Sequence, residues 1–91
     1  MNGWTLQISS YARKQYRLLG AGPKAAAKQL LEDLAEEPAS VPAIELRGKP
    51  GVWRARFHTD YRMVFEISKA EKRIRVTRIE HRATVYEGMK R

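Results

Sequence analysis

Arginines recur at alternate positions in the second half of the chain, where they could bind phosphate groups. Two neighbouring alternating segments carry Arg54 and Arg56 in the first and Arg62 in the second. Because alternate side chains of a β-strand point to opposite faces of the sheet, the sequence predicts one apolar face and one face rich in guanidinium groups. A guanidinium stays charged and can bind two phosphate oxygens at once. The simpler alternative for Arg62 is a surface ion pair with Glu66.

Positive charge is concentrated in the same region. The chain has a net charge of +8, and residues 47–82 contain eleven Lys and Arg against four Asp and Glu, whereas the charges of residues 1–46 cancel. Such a concentration favours a polyanionic partner, either a nucleic acid or the ribosome, over a solvated basic surface. The further cations that we assign to RNA or phosphate binding are Arg47, Lys49, Arg75 and Arg82.

Proton transfer at such a site needs a side chain that titrates near neutrality. Arginine is a poor general base because its pKa lies above ~12. His81 is the obvious candidate, since the unperturbed pKa of histidine is about 6.5, although a lone histidine is often a hydrogen-bonded structural residue. Its neighbour Glu80 could replace it or orient it. His58 lies near a turn, which makes it a weaker candidate.

Composition excludes several classes of protein. The chain has no cysteine, which excludes a disulfide framework and a thiolate metal site. Two histidines alone make no convincing metal site, so we expect neither a metal nor a cofactor. No apolar run approaches the ~20 residues that span a bilayer, and the N-terminus lacks the features of a signal peptide. We expect a soluble, cytoplasmic protein in which residues 1–91 form one domain.

A strand and two helices are predicted before the basic region. Residues 4–8 alternate as a strand does, and Ser9 or Ser10 can cap a helix over residues 11–19. A second helix over residues 23–37 starts at one proline and stops before another. Its apolar residues fall on one stripe: Ala27, Leu30, Leu31 and Leu34. The loop between the helices is tight, which predicts an antiparallel helical hairpin.

Four strands and a short C-terminal helix are predicted after the hairpin. A linker over residues 39–42 precedes the first of these strands, and a turn over residues 48–51 follows it. The last three strands are joined by short connections, so they pair antiparallel. The four strands cover residues 44–47, 52–58, 61–67 and 73–80, and the C-terminal helix covers residues 82–90.

This order of elements predicts an α+β fold, a two-layer sandwich. The N-terminal strand and the helical hairpin would pack on one face of a mostly antiparallel sheet, and the arginine-rich face would stay open. The last strand is ambiguous, because Ile74 shares a parity with Arg78 while Ile79 shares one with Arg75.

Four segments keep the order and spacing of one protein family. They are residues 46–48 (LRG), 53–57 (WRARF), 60–67 (DYRMVFEI) and 81–86 (HRATVY). Together they resemble the RelE/ParE superfamily of toxins from bacterial type II toxin–antitoxin systems, and the resemblance covers essentially the whole chain, including the helical hairpin. It implies a RelE-like fold.

The resemblance also implies a function. Members similar to RelE cleave messenger RNA, usually in the ribosomal A site and without a metal, whereas members similar to ParE inhibit DNA gyrase. Both kinds are neutralised by an antitoxin that wraps the toxin. We therefore expect a RelE-like endoribonuclease that cleaves mRNA at the ribosome by attack of the 2′-OH on the adjacent phosphate, held in a toxin–antitoxin hetero-oligomer. A ParE-like gyrase inhibitor and a degenerate, non-toxic RNA- or antitoxin-binding domain are the alternatives.

Residue roles follow from the same resemblance. Arg62 matches the arginine that stabilises the transition state, and Tyr86 matches the C-terminal tyrosine that stacks on a base. Arg54 and Arg56 stand where ribosome-dependent members carry lysines, one of which is proposed as the general base. Either Arg56 only binds phosphate and another group, for which His81 is the obvious candidate, takes the proton, or the chain is not a nuclease. The catalytic set expected is Arg56, Arg62, His81 and Tyr86.

Overall fold

Two helices and five strands make up the computed structural model, which describes residues 3–81. The elements in chain order are β1 (Thr5–Ile8), α1 (Ser10–Arg17), α2 (Ala21–Glu36), a 3-10 turn (Pro38–Ser40), β2 (Ile44–Glu45), β3 (Val52–Phe57), β4 (Tyr61–Ser68) and β5 (Arg73–His81). The C-terminal helix predicted over residues 82–90, with Arg82 and Tyr86, lies outside the described residues. Neither helix of the described chain is long and apolar enough to cross a membrane.

The strands form a single sheet in the order β1-β5-β4-β3-β2. β1 pairs with β5 in parallel, and the other neighbours pair antiparallel. The helices pack on this sheet, with α1 against β5 and α2 against β1 and β3. The predicted α+β architecture is therefore confirmed, with the parallel edge pair made by the N-terminal strand.

The helix boundaries differ from the predicted ones by a few residues. Ser9 is the N-cap of α1, since its hydroxyl accepts a hydrogen bond from the Ala12 amide at 3.0 Å. α2 begins at Ala21 rather than at Pro23, with Gly20 as its N-cap. A proline is tolerated in the first turn because amide groups there have no partner within the helix.

The segments between α2 and β3 also depart from the prediction. Residues predicted as a featureless linker begin with the 3-10 turn, where Val41 donates its amide to the Pro38 carbonyl at 3.2 Å. β2 ends at Glu45, before the predicted residue 47, because the Leu46 carbonyl already accepts from Lys49 in a turn. Gly51 adopts a φ of 83° in that turn, a conformation that favours glycine.

The core lies between the helices and the covered face of the sheet. Ala27 and Leu34 from the predicted apolar stripe are fully buried, and Leu30 and Leu31 pack partly against them. The largest fully buried side chains are Phe65, Leu34, Met63, Ile74, Ile79 and Val76. β3 alternates as predicted up to Phe57 and ends there, since His58 has a φ of 46° and leaves the strand.

A β-bulge resolves the ambiguous parity of β5. Val64 pairs with Arg78 and Phe65 pairs with Val76, which leaves Thr77 as the extra residue. Because an extra residue reverses the alternation, Val76 before it and Ile79 after it both reach the core. Each of the two possible parities therefore holds in one half of the strand.

Replacing Ser9 by alanine should destabilise the fold, because its hydroxyl serves both α1 and the bulge. It accepts from the Ala12 amide and donates to the Thr77 carbonyl at 3.2 Å. We expect Ser9→Ala to lower the free energy of unfolding in urea by about 1–2 kcal/mol. The exposed neighbour provides the control, since Ser10→Ala should change it by less than about 0.5 kcal/mol. Equal effects of the two changes would contradict this assignment.

Candidate functional site

Three arginines meet on the open face of the sheet. Arg56 on β3 lies opposite Arg62 on β4, and Arg54 lies opposite Val64. They line a cavity of about 420 Å³, which is closed on its other side by Pro42, Ala43 and Ile44. Ile44 belongs to the edge strand β2, where it pairs with Arg54. The short edge strand and the segment before it thus form one wall of an arginine-lined cavity.

Arg62 is the buried member of this cluster. Its exposed fraction is 8%, and its Nη1 donates a hydrogen bond to the Tyr61 carbonyl at 3.1 Å. In the described part of the chain, no carboxylate lies within 4.0 Å of the guanidinium groups of Arg54, Arg56 or Arg62. A buried cation without an acidic partner is costly. An anion that entered the cavity would supply a partner that residues 3–81 do not.

The acidic residues near the open face are bound elsewhere. Glu66, considered from the sequence as a partner of Arg62, lies 4.0 Å from Arg75 instead. Glu80 is directly opposite Arg62 in the strand register, but its carboxylate is paired with Arg78 at 3.2 Å. Neither of these two carboxylates therefore neutralises Arg62.

Glu80 is a buried carboxylate with three donors. Its exposed fraction is 4%, and its Oε2 accepts from the Tyr11 hydroxyl and from Gln15 Nε2, each at 2.8 Å. Arg78 completes the set. Gln15 also accepts the Ile79 amide at 2.7 Å, so that α1 covers the part of the β5 edge that β1 leaves open. The hydrogen bond to Glu80 raises the pKa of Tyr11, and burial of the phenol acts in the same direction.

Sequence reasoning missed this network. Tyr11 and Gln15 are four residues apart, so they lie on the same face of α1, and this spacing was the available signal. Their partner lies 69 and 65 residues further along the chain. Nothing local in the sequence indicates that pairing.

His81 lies on the other face of the sheet from Arg62. It pairs with Tyr61 in the strand register, and the two rings meet edge-on with centroids 5.2 Å apart. Since Tyr61 and Arg62 are adjacent on β4, alternation sends their side chains to opposite faces. The structure therefore does not bring His81 into the arginine cavity. It lines a separate depression beside the α1–α2 loop, with Leu18 and Leu19.

The remaining predicted residues are spread over the surface. His58 packs over the first turn of α2, where a Cβ on Gly22 would come within 3.0 Å of its Nε2. Arg47 and Lys49 lie on the turn before β3, in a depression of their own. Arg75 lines another depression with Arg73, next to Gly51. In residues 3–81, no three His, Cys, Asp or Glu side chains form a group that could hold a metal ion.

The sequence matches one family of proteins. Residues 4–86 match the family model described as the ParE toxin of the type II toxin–antitoxin system, parDE. The match includes β1, both helices and the whole described sheet. No curated protein matches the chain.

Solved structures share the fold. A chain of the RelBE2 toxin–antitoxin complex from Mycobacterium tuberculosis is 27% identical, with 87% of this chain and 98% of that chain covered and a TM-score of 0.73. The isolated RelE toxin of E. coli is 23% identical, with 97% of each chain covered and a TM-score of 0.75. A RelE–RelB complex from Pyrococcus horikoshii is 22% identical, with coverages of 90% and 97% and a TM-score of 0.76. At these lower identities the likeness establishes the fold alone.

Removing the charge of Arg62 should stabilise the protein. Arg62→Met keeps an unbranched side chain but removes a buried cation that lies beside two others, so we expect the free energy of unfolding to rise by about 1 kcal/mol. The gain should shrink as salt is added, because salt screens the repulsion. Arg73→Met is the control. Its guanidinium is exposed and paired with Glu71, so we expect a change below about 0.5 kcal/mol. A destabilised Arg62→Met would contradict this expectation.

The Tyr11–Glu80 hydrogen bond should make stability depend on alkaline pH. The folded-state pKa of Tyr11 is raised above 10.0, so its contribution is complete below pH 10 and is lost as the pH rises through the folded-state value. We expect the unfolding free energy of Tyr11→Phe to fall less steeply above pH 10 than that of the wild type. Tyr16→Phe keeps the pair and should retain the wild-type slope. Identical slopes for all three proteins would contradict the prediction.

Proposed function

The chain belongs to the ParE toxin family of type II toxin–antitoxin systems, within the RelE/ParE superfamily, and on this basis we propose that it is a metal-independent endoribonuclease. Its substrate in this proposal is mRNA on the ribosome, which implies a cytoplasmic site of action. The observation that carries the proposal is the buried guanidinium of Arg62, which has no carboxylate within 4.0 Å in the described chain and has two further arginines beside it.

The cavity suits the charge that develops when RNA is cleaved. Attack of a ribose 2′-OH on the adjacent phosphate breaks the bond to the 5′-oxygen and concentrates negative charge on the equatorial phosphate oxygens. Arg62 stabilises that charge, and a fixed cation in a partly dehydrated site is worth more there than in water. Arg54 and Arg56 hold the phosphate backbone. Because the guanidinium groups supply the positive charge, the proposed reaction needs no metal.

Proton transfer requires residues outside the cavity wall. Arginine cannot accept the 2′-OH proton, so we retain His81 as the acid or base and Tyr86 as the residue that stacks on a base. His81 reaches the substrate in this proposal only from the end of β5, since it emerges on the face opposite Arg62. Arg62 therefore carries the proposal, and the role of His81 is a separate test. Arg47, Lys49, Arg75 and Arg82 add general attraction for the RNA backbone.

The partner in this proposal is an antitoxin. The similar structures from M. tuberculosis, P. horikoshii and E. coli include toxin–antitoxin complexes. By analogy, an antitoxin binds this chain in a hetero-oligomer and suppresses its toxicity.

One feature favours a second function, inhibition of DNA gyrase without RNA cleavage. In the described part of the chain the cavity is lined by three arginines, Pro42, Ala43 and Ile44, with no histidine or carboxylate among them. A lining of this kind suits anion binding better than catalysis. In this second function the cavity contacts gyrase or its DNA, and no acid or base is needed.

Cleavage of mRNA on programmed ribosomes tests the proposal. The purified chain should produce new mRNA ends, and Arg62→Ala should reduce the cleavage rate at least about 100-fold, as loss of a group that stabilises transition-state charge does. Arg73→Ala should stay within about twofold, since the Arg73 side chain is 41% exposed and paired with Glu71. His81→Ala tests proton transfer separately: an unchanged rate would remove it from the mechanism.

A gyrase supercoiling assay with the same preparations distinguishes the two functions. Intact mRNA together with blocked supercoiling would overturn the nuclease proposal in favour of gyrase inhibition. Each variant should first show the unfolding transition of a folded protein.

A further inference from the structure

Glu80 and Arg62 are oppositely charged neighbours on the sheet that do not pair with each other. They lie directly opposite on β5 and β4, and Cβ atoms in such an antiparallel pair are about 4.5–5.5 Å apart. Both side chains are buried. Among residues 3–81, however, no ion pair joins the two within 4.0 Å. Some other interaction must therefore hold the carboxylate away from the guanidinium.

Two side chains of α1 supply that interaction. The Tyr11 hydroxyl and Gln15 Nε2 each donate a hydrogen bond to Glu80 Oε2 at 2.8 Å. The orientation of Gln15 is fixed, because its Oε1 accepts the Ile79 backbone amide at 2.7 Å, which leaves the amino end to face Glu80. The hydrogen bond to Glu80 also raises the pKa of Tyr11, so the phenol stays protonated at neutral pH. Oε2 thus has two fixed donors on α1.

Arg78 binds the same carboxylate through longer hydrogen bonds. Its Nη2 lies 3.2 Å from Oε1 and 3.3 Å from Oε2 of Glu80, at or beyond the long end of the usual range. A carboxylate has about four acceptor positions. If α1 released Oε2, that atom would be free to turn to Arg62 while Oε1 stayed with Arg78.

A contact with Glu80 would neutralise the arginine cavity. The hydrogen bond that the structure gives the Arg62 guanidinium is to a neutral group, the Tyr61 carbonyl. A carboxylate would bind it more strongly, since hydrogen bonds between charged groups exceed those between a charged and a neutral group. Because salt screens buried charges only weakly, an ion pair formed there would reduce the attraction of the cavity for phosphate.

We propose that Tyr11 and Gln15 are positioning residues for the arginine cavity. By holding the Glu80 carboxylate on α1, they prevent it from neutralising Arg62. The inference rests on the role proposed above for Arg62 in binding the phosphates of RNA. It gives the buried network a task in RNA binding in addition to its contribution to the fold.

Affinity for RNA tests this inference. The probe is a short, fluorescently labelled oligouridylate with 2′-O-methyl groups, which cannot be cleaved by 2′-OH attack, and its binding is followed by anisotropy at low salt. The double variant Tyr11→Phe, Gln15→Met should bind about tenfold more weakly than the wild type, because a carboxylate then neutralises Arg62. Tyr11→Phe alone leaves one donor and should weaken binding about threefold. It carries the test if the double variant does not fold.

Removal of the Glu80 charge should restore the affinity. Glu80→Gln added to Tyr11→Phe should bring binding back to within about twofold of the wild type, whereas Glu80→Gln alone should raise the wild-type affinity by less than about twofold. Glu66→Gln is the matched control, since it removes a half-exposed carboxylate from the strand of Arg62 and should not restore binding. A network that only stabilised the fold would not be rescued, because Glu80→Gln weakens it further. Loss of affinity without rescue would overturn the inference.

Arg62→Ala separates the failure of this inference from the failure of the proposal beneath it. Equal binding by Arg62→Ala and the wild type, absence of binding included, would overturn both. Weaker binding by Arg62→Ala together with wild-type binding by the variants of Tyr11 would overturn the inference alone. Tyr16→Phe should bind within about twofold of the wild type, since the donors to Glu80 in residues 3–81 are Tyr11, Gln15 and Arg78.

Discussion

One extra residue in β5 determines what each face of the sheet presents. Thr77 forms the bulge, and the alternation reverses at that point. Without it, either Val76 or Ile79 would leave the core for the open face, and burial of a side chain of that size contributes roughly 1.5–3 kcal/mol. The same reversal places Glu80 opposite Arg62 and sends His81 to the helix side. The hydroxyl of Ser9 fixes the bulge from the N-cap of α1.

Different charged residues stabilise the fold and line the arginine cavity. Glu80 is the one buried carboxylate of the described chain, and it is satisfied by α1 and by Arg78. That network holds α1 against the β5 edge without neutralising Arg62. The fold is thus stabilised by one set of charges, while the cavity retains a cation that no carboxylate of residues 3–81 neutralises. Sites that bind or transform ligands commonly carry such a local cost.

Patterns in the sequence were sufficient to predict the architecture and the cluster of three arginines in the candidate site. Alternation located the strands that carry Arg54, Arg56 and Arg62, and it placed these side chains on one open face, because a period of two fixes the face wherever a strand is regular. The position of His81 relative to that face could not be predicted. Threonine is common in strands, so nothing about Thr77 indicated that the alternation would break there, four residues before His81.

The features that the sequence patterns did not predict depend on long-range contacts. The cavity that Arg62 lines is closed by Ile44 and the segment before it, which no local sequence pattern places beside the arginines. The buried network around Glu80 likewise joins residues from opposite ends of the described chain. Such pairings depend on topology, which local propensity does not specify.

The segment of Pro42 and Ala43 lines both the arginine cavity and an apolar groove on the helix-covered side of the sheet, next to Trp4 and Trp53. Because it borders the apolar groove on one side and the arginine cavity on the other, any displacement of it changes the shape of both. Two ligands that bind on opposite sides and favour different positions of this segment would oppose each other, with no contact between them. Linkage requires that antagonism to be mutual: the factor by which a ligand of the groove weakens the affinity for a polyanion equals the factor by which the polyanion weakens the affinity for that ligand.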